Sequence, residues 1–487
     1  MIRPAGAALA LTVGLLAGCS SSHPAPPHFG DVLAAKVNAD AMLTHLRAFQ
    51  DIADAHKGNR AEGTPGFAAS VDYVAKALRS KGFDVSTPQF DRLYTASPGQ
   101  PTLTVSGHDY AVDQASLLVQ TPPGGITAPV VRPAKAAGCA ASDYPGAGPK
   151  GAIAVVDDSG CTVVDKQKAA AAKGAVALVV TSEPGHQGAS PKLFNPGYYD
   201  QLTMPVAVVG AEGAGALRDA AGPVRLTLDT ATVKITSRNV LAQTKTGSPH
   251  DVVVVGAHLD SVPQGPGIND NATGVAAVLE TALQLGPSPR LANMVRFAFW
   301  GAEESGLNGS LDYVLGMGRD ELNDVALYLN FDTLGSPNAG FFTDDGDQSA
   351  PAGPGGAPQN VPTGSAGIER TLAGYLNLAG KRPFDLPLST QSDYSPFLVA
   401  GVPIGGMTTG SSQTKTAVQA RLWGGQAGVA FDPNYHSARD TLDHVNRDAL
   451  AIMGSGVAFA VGTYAQSIDG VNGVPAHDQR HRKQVRP

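Results

Sequence analysis

Three apolar runs constrain this chain more than anything else in it. Residues 252–256, 294–300 and 326–331 are short, and the first contains four consecutive valines. A run without polar alternation is how a strand buried on both faces reads. A helical pattern fills 274–285, between the first two. Strands alternating with helices imply an α/β fold: a mostly parallel, twisted sheet with helices on both faces. Ligands of such sheets gather beyond the carboxyl ends of the strands. Here each run ends in a polar cluster. Ala257-His258-Leu259-Asp260-Ser261 follows the first, Gly301-Ala302-Glu303-Glu304 the second and Asp332 the third. Gly267-Ile268-Asn269-Asp270-Asn271 precedes the helical run, and Tyr435-His436-Ser437-Ala438-Arg439-Asp440-Thr441 lies near the end.

A chain of 487 residues is too long for one ordinary core, so more than one domain is expected. Residues 34–51 read as a helix. Phe67, Val71, Val74, Ala75 and Leu78 mark a second helix over 64–81, with Pro65 in its first turn and Gly82 after its last. Residues 83–90 read as a strand. The texture changes between about 110 and 230. Short apolar strands (151–156, 175–180, 204–209) alternate with Gly/Ala/Pro turns there, and 161–174 reads as a helix ending in glycine. The expected order is therefore an export signal (1–18), a flexible tether (19–33), the first part of the α/β domain (34–110), a β-rich insert (111–232), the main α/β portion (233–468) and a solvated, disordered basic tail (469–487).

Arg3 precedes a short apolar stretch over 7–17, the pattern of an export signal rather than of a membrane span. Leu16-Ala17-Gly18-Cys19 resembles a bacterial lipobox. The resemblance implies that Cys19 carries lipid, becomes the first mature residue and anchors the protein at the outer face of the cell membrane. Cys139 and Cys161 are the other two cysteines, and an oxidising compartment favours their pairing. No C-x-x-C or Cys/His cluster surrounds them, so they are poor metal candidates.

A net charge of −7 and a pI near 5.9 give no basic surface for nucleic acid. Gly146-Ala147-Gly148-Pro149-Lys150-Gly151 matches G-x-G-x-x-G but precedes a strand instead of following one, so it reads as a turn. The chain contains neither G-x-S-x-G nor H-E-x-x-H, which argues against a serine-hydrolase elbow and a thermolysin-like zinc helix.

One imidazole and several carboxylates converging at strand ends make an oxygen/nitrogen metal site. Zinc is the usual occupant, with two ions if a carboxylate bridges them. Each residue has a plainer reading: Asp270 as a helix cap, Glu303 and Glu304 as a solvated helix start, His436 as a surface histidine. The combination carries the argument, because four of the sites fall just after strand-like runs.

The same motifs resemble the di-zinc aminopeptidase family. The resemblance rests on 257–261 and Asn269-Asp270-Asn271-Ala272-Thr273-Gly274, on 299–310, and on Asn330-Phe331-Asp332. It continues in Trp423-Gly424-Gly425-Gln426-Ala427-Gly428, Phe431-Asp432, Tyr435-His436 and Asp440-Thr441. It covers about 235–465 strongly. It implies two zinc ions per chain, held by His258 and Asp332 on one side and by Glu304 and His436 on the other, with Asp270 bridging. Glu303 would be the general base, Asp260 the partner that orients His258, and Tyr435 the stabiliser of the oxyanion. Substrates would be peptides with a free N-terminus. Asn434 stands where the family often has a cysteine, so a family disulfide is missing there.

Gln391-Ser392-Asp393-Tyr394-Ser395-Pro396-Phe397 also resembles the family, as a substrate-side loop entering a late strand. The insert resembles a protease-associated domain, through Gly151-Ala152-Ile153-Ala154-Val155-Val156, Cys161, Lys168 and Ala172-Lys173-Gly174-Ala175. A zinc carboxypeptidase, a glutaminyl-cyclase-like enzyme and a non-catalytic binding lipoprotein are the competing readings. A calcium site is compatible with the chain but not readable in it.

Overall fold

The computed structural model describes residues 28–145, 150–182, 192–195, 197–351 and 360–485. Cys19, the lipobox and the heart of the glycine-rich turn at 146–151 lie outside them.

The main sheet has eight strands. Its centre is Asn293–Trp300, Ser248–His258, Val325–Phe331 and Ile404–Thr408, side by side and parallel, with Val255 level with Phe297 and Leu329. Val240–Gln243 and Asp84–Ser86 extend one edge antiparallel, and Phe342–Asp344 with Phe384–Leu386 extend the other. Strand pleating sends alternate side chains to opposite faces. Val253, Val255 and Ala257 join one buried cluster, and Val252 and Val254 join another. Phe297 and Phe299 against Ala298 and Trp300 repeat the division. Both faces are therefore apolar and both are covered by helices. Ala39–Ala55, Pro65–Lys81, Thr273–Leu285 and Arg447–Gln466 cover the first, while Asn308–Leu315 and Tyr394–Val399 cover the second. The α/β architecture read from the sequence is the one observed. Arg447–Gln466 is apolar and long enough to cross a membrane, but 67% of its most apolar 18-residue stretch is buried inside the fold, so here it serves as a core helix.

The insert has its own eight-stranded sheet. Its central strands are Ile153–Asp157, Ala177–Thr181 and Val206–Val209, parallel and neighbouring. Helix Val163–Ala172 covers one face and Ala211–Asp219 the other. Cys139 and Cys161 are joined by a disulfide. An antiparallel ribbon, Gln89–Ser97 against Ala231–Arg238, carries the chain into the insert and out of it.

Six expectations are corrected. The first helix is two: Phe29–Ala34 and Ala39–Ala55, with Asn38 capping the second through its side chain. Consequently the tether does not run to residue 33. Leu33 is buried, and the short helix packs on Arg447–Gln466. The strand expected over 83–90 is split by Thr87-Pro88. Asp84–Ser86 joins the main sheet and Gln89–Ser97 the ribbon, consistent with proline's missing N–H, which cannot support a continuous ladder. The insert begins earlier than 111, because Thr102–Val105 pairs with His108–Gln114 and Val224–Thr227 within its sheet.

Nor is the stretch from 469 a free basic arm. Arg480 and Arg482 are only 5% and 7% exposed. Arg480 donates to the carbonyls of His250 and Asn323 and pairs with Asp251 at 2.5 Å. Arg482 donates to the carbonyls of Val325 and Gly401. A guanidinium presents five donors, so it satisfies several loose carbonyls at once and offsets its own desolvation. Finally, the 391–397 segment does not feed straight into a strand. It forms helix Tyr394–Val399, and the strand starts at Ile404.

Candidate metal centre

The site forms where the central strands end. His258 is the last residue of its strand and pairs in register with Trp300. Glu303 and Glu304 follow Trp300, and Asp332 follows Phe331. Asp270 sits in the turn Ile268–Ala272 that opens helix Thr273–Leu285. His436 comes from a C-terminal loop. Gly274 lets this helix approach the strand end: a Cβ there would lie 2.3 Å from the carbonyl oxygen of Phe331. Ala302, Thr333 and His436 all have positive φ, which is unfavourable for residues with a Cβ. Ala302 precedes Glu303, Thr333 follows Asp332 and His436 is itself a candidate ligand, so part of the backbone strain falls where these side chains must be aimed.

Asp270 is the centre of the arrangement. Its Oδ1 lies 3.1 Å from Nε2 of His258, and its Oδ2 lies 3.1 Å from Nε2 of His436. Nε2 of His258 is also 3.5 Å from Oδ1 of Asp332, and Nε2 of His436 is 3.1 Å from Oε2 of Glu304. The two oxygens of one carboxylate thus face two separate imidazole–carboxylate pairs. Glu303 offers an oxygen within 4.8 Å of ligand atoms of both His258 and Asp332.

The site is crowded with acid. Burial pushes the Glu304 carboxyl up to about 7, with Asp270 adding to the effect. Burial also raises Glu303 well above the usual carboxylate range; His258 opposes this, and Asp393 and Asp332 reinforce it. Burial disfavours a charged His436, yet hydrogen bonds to Asp270 and Glu304 lift it to about 10. Burial likewise works against an ionised Asp270, and hydrogen bonds from both imidazoles overcome it and hold the carboxyl below its ordinary value. Such a field favours bound cations. Oε1 of Glu304 is buried and accepts no hydrogen bond, and Oδ1 of Asp332 has only the 3.5 Å approach of His258. Buried carboxylate oxygens without partners are costly unless something positive coordinates them. The oxygen/nitrogen donor set fits zinc.

The surrounding residues fix these groups. Asp260 is fully buried. It approaches His258 through its backbone carbonyl, 3.2 Å from Nδ1, more closely than through its carboxylate at 3.8 Å. The carboxylate instead accepts the backbone N–H groups of Glu303 at 3.1 Å and Glu304 at 3.3 Å. Its work is therefore broader than orienting one imidazole. Asp440 accepts the amides of Asn269 at 2.7 Å and Asp270 at 3.0 Å. Tyr435 stacks on His436 with ring centres 3.8 Å apart.

Two contributors lack a role in the sequence reading. Asp440 was visible there only as part of a motif. Arg60 lies between the two N-terminal helical patterns, among polar residues where an arginine is ordinarily solvated. It is 0% exposed and donates to the carbonyls of Leu259, Pro266 and Gly267, pinning the loop between His258 and Asp270. Burial lowers its pKa to about 10, and Asp260 and Asp440 oppose that fall, so it remains a cation. No local pattern marks it, because its partners lie about 200 residues away.

A cavity of about 760 Å³ opens beside this cluster. Asp270, Asp332 and Tyr435 form its floor, and Leu388, Gln391 and Tyr394 contribute to its wall. A second cavity of about 580 Å³, lined by Leu241, Arg296 and Tyr313, contains none of the candidate ligands.

Residues 239–461 match the family model of Peptidase family M28, and residues 126–217 match that of the PA domain. The chain is 49% identical over 480 residues to the probable lipoprotein aminopeptidase LpqL of Mycobacterium tuberculosis, covering 97% of this chain and 95% of the relative. It is 37% identical over 439 residues to an aminopeptidase of Pseudomonas aeruginosa, covering 87% and 80%. The zinc aminopeptidase of Bacillus subtilis has a similar structure, with a TM-score of 0.50, 25% identity, and coverage of 88% of this chain and 95% of that one.

Proposed function

The chain belongs to peptidase family M28 and is a zinc aminopeptidase; from that premise we propose that it removes single residues from peptide N-termini at two zinc ions, with Glu303 as general base. The observation that carries the reading is Asp270, whose two oxygens face different imidazoles. His258 and Asp332 would hold one ion and His436 and Glu304 the other, with Asp270 available to both.

When bound, the ions polarise the scissile carbonyl and acidify a water. Glu303 takes a proton from the attacking water and returns it to the leaving amine. A raised carboxyl pKa suits a group that must both accept and release that proton. The Tyr435 hydroxyl donates a hydrogen bond to the carbonyl oxygen as negative charge develops on it. Tyr435 lines the cavity and is fixed by its stack on His436. The acidic cavity floor suits a free α-ammonium, which selects N-termini over internal bonds. Asp260 holds the backbone of Glu303 and Glu304, so the base and one ligand move together.

The export signal and the name of the Mycobacterium relative support a lipid anchor at Cys19 and a position at the outer face of the membrane. Aminoacyl-p-nitroanilides test the chemistry, using soluble protein without residues 1–19. The reading expects cleavage that a chelator abolishes, that zinc restores, that Glu303→Ala loses and that N-acetylation blocks. Zinc-loaded protein that leaves free-amine substrates intact would refute it.

A further inference from the structure

The tail that docks through Arg480 and Arg482 also brings a histidine to a second cluster, remote from the metal centre. Nδ1 of His250 lies 2.9 Å from Oδ1 of Asp324, and Nε2 of His477 lies 3.1 Å from the same oxygen. The two rings meet edge to face with centres 5.5 Å apart. We propose that His250, Asp324 and His477 form a divalent-metal site, with zinc the best-matched ion, that staples the C-terminal tail to the base of the peptidase sheet.

Three features support this. The first is geometry. Donor atoms around a tetrahedral zinc with bonds near 2.0–2.1 Å stand about 3.3 Å apart, so the observed separations need little adjustment. The second is chemistry. Two imidazole nitrogens and one carboxylate oxygen form a borderline set, and each ring can keep its proton on the other nitrogen. Asp324 is 32% exposed and the histidines more so, leaving room for water in the fourth position.

The third is preorganisation. His250 lies in strand Ser248–His258, Asp324 ends helix Arg319–Asp324 and His477 starts the turn His477–Gln479. Arg480 fastens this assembly by donating to the carbonyls of His250 at 2.8 Å and Asn323 at 2.7 Å. Backbone beside two of the ligands is thereby held by the same tail that supplies the third. Rigid backbone under each ligand is what a metal site needs to avoid an ordering cost.

The test compares full-length wild type with His250→Ala and His477→Ala. Neither residue belongs to the catalytic machinery, so both variants keep peptidase activity. After chelator treatment, zinc reloading and gel filtration, the metal content of each is measured. The wild type is expected to hold one equivalent more than either variant. Zinc should also slow tryptic cleavage after Arg480, Arg482 and Lys483 in the wild type, roughly tenfold when free zinc is ten times the dissociation constant, but not in His477→Ala. Equal zinc content in all three proteins, or equal protection of the tail in wild type and His477→Ala, would overturn the proposal. Because the comparison is a difference between variants, it reads out whether or not the catalytic ions are two.

Discussion

The Asp440 carboxylate accepts the backbone N–H of Asp270 at 3.0 Å, across 170 residues of sequence. Its other oxygen takes the neighbouring amide of Asn269. Burial pushes the Asp440 carboxyl up to about 7, although both amides favour the ionised form. Groups that hold a metal ligand in place tune affinity more than chemistry. Asp440→Ala is expected to weaken zinc binding ~10–100-fold while leaving kcat close to wild type at saturating zinc. Competition with a chromophoric chelator measures the affinity. An unchanged affinity would show that Asp270 is fixed by other contacts.

Glu303 should separate from the ligands in the opposite sense. Glu303→Ala is expected to retain zinc and lose roughly 10²–10⁴-fold in kcat, with KM little changed. Loss of metal along with activity would make Glu303 a ligand rather than a base, an alternative worth testing because its oxygen lies within 4.8 Å of ligand atoms of His258 and Asp332.

Arg60 is a stability prediction. Arg60→Met removes the donors from three loop carbonyls and leaves neighbouring carboxylates without their buried cation. A cost of about 3 kcal/mol is expected, since each unsatisfied buried group costs ~1–3 kcal/mol and the losses overlap. Thermal unfolding reads it. Arg60→Lys should recover little, because an ammonium does not reproduce the fork of donors.

Glu369 supplies a pH dependence away from the metal centre. Burial raises its carboxyl to about 7, with Asp347 as the next contributor. The folded state therefore holds this proton more tightly than the unfolded chain. The stabilisation is fully present below the unfolded value near 4.5 and is lost as pH rises through about 7. Glu369→Gln keeps an acceptor for the Asp347 amide. It should be more stable than wild type at pH 8, by on the order of 1–2 kcal/mol, and equal to it near pH 4. Urea midpoints at the two pH values check this, and a constant difference would contradict it.

The Cys139–Cys161 disulfide closes a short loop inside the insert. Replacing both cysteines with serine is expected to cost the insert about 3 kcal/mol. Cleavage of a small p-nitroanilide should persist, because no catalytic candidate lies in the insert. Hydrogen exchange resolves the two regions; uniform loss of protection across both would refute their independence.

The sequence made the sheet's centre legible because each buried strand is a continuous apolar run, and because polar residues follow directly where a strand stops. His258, Glu304 and Asp332 were therefore visible by position alone. His436 and Tyr435 were not: no strand precedes them, and only the motif resemblance drew them in. Arg60 and the docked tail stayed hidden for a different reason. A basic residue in a polar stretch looks solvated until its acceptors are known, and those acceptors are backbone carbonyls, which have no signature in sequence. The break at Thr87-Pro88 could have been read from proline; the early start of the insert could not, because Thr102–Val105 fits either sheet by composition.

The antiparallel ribbon has a consequence for how the chain assembles. Ser97 and Ala231 are paired neighbours, although more than a hundred residues separate them along the chain. The insert is thus a parenthesis: it opens and closes at one spot, and the surrounding sentence still reads without it. Helix Pro65–Lys81, which emerges early, must wait for Val240–Gln243 before it has its sheet to rest on. As the chain emerges, the sheet of the insert is therefore complete before the main sheet has its central strands.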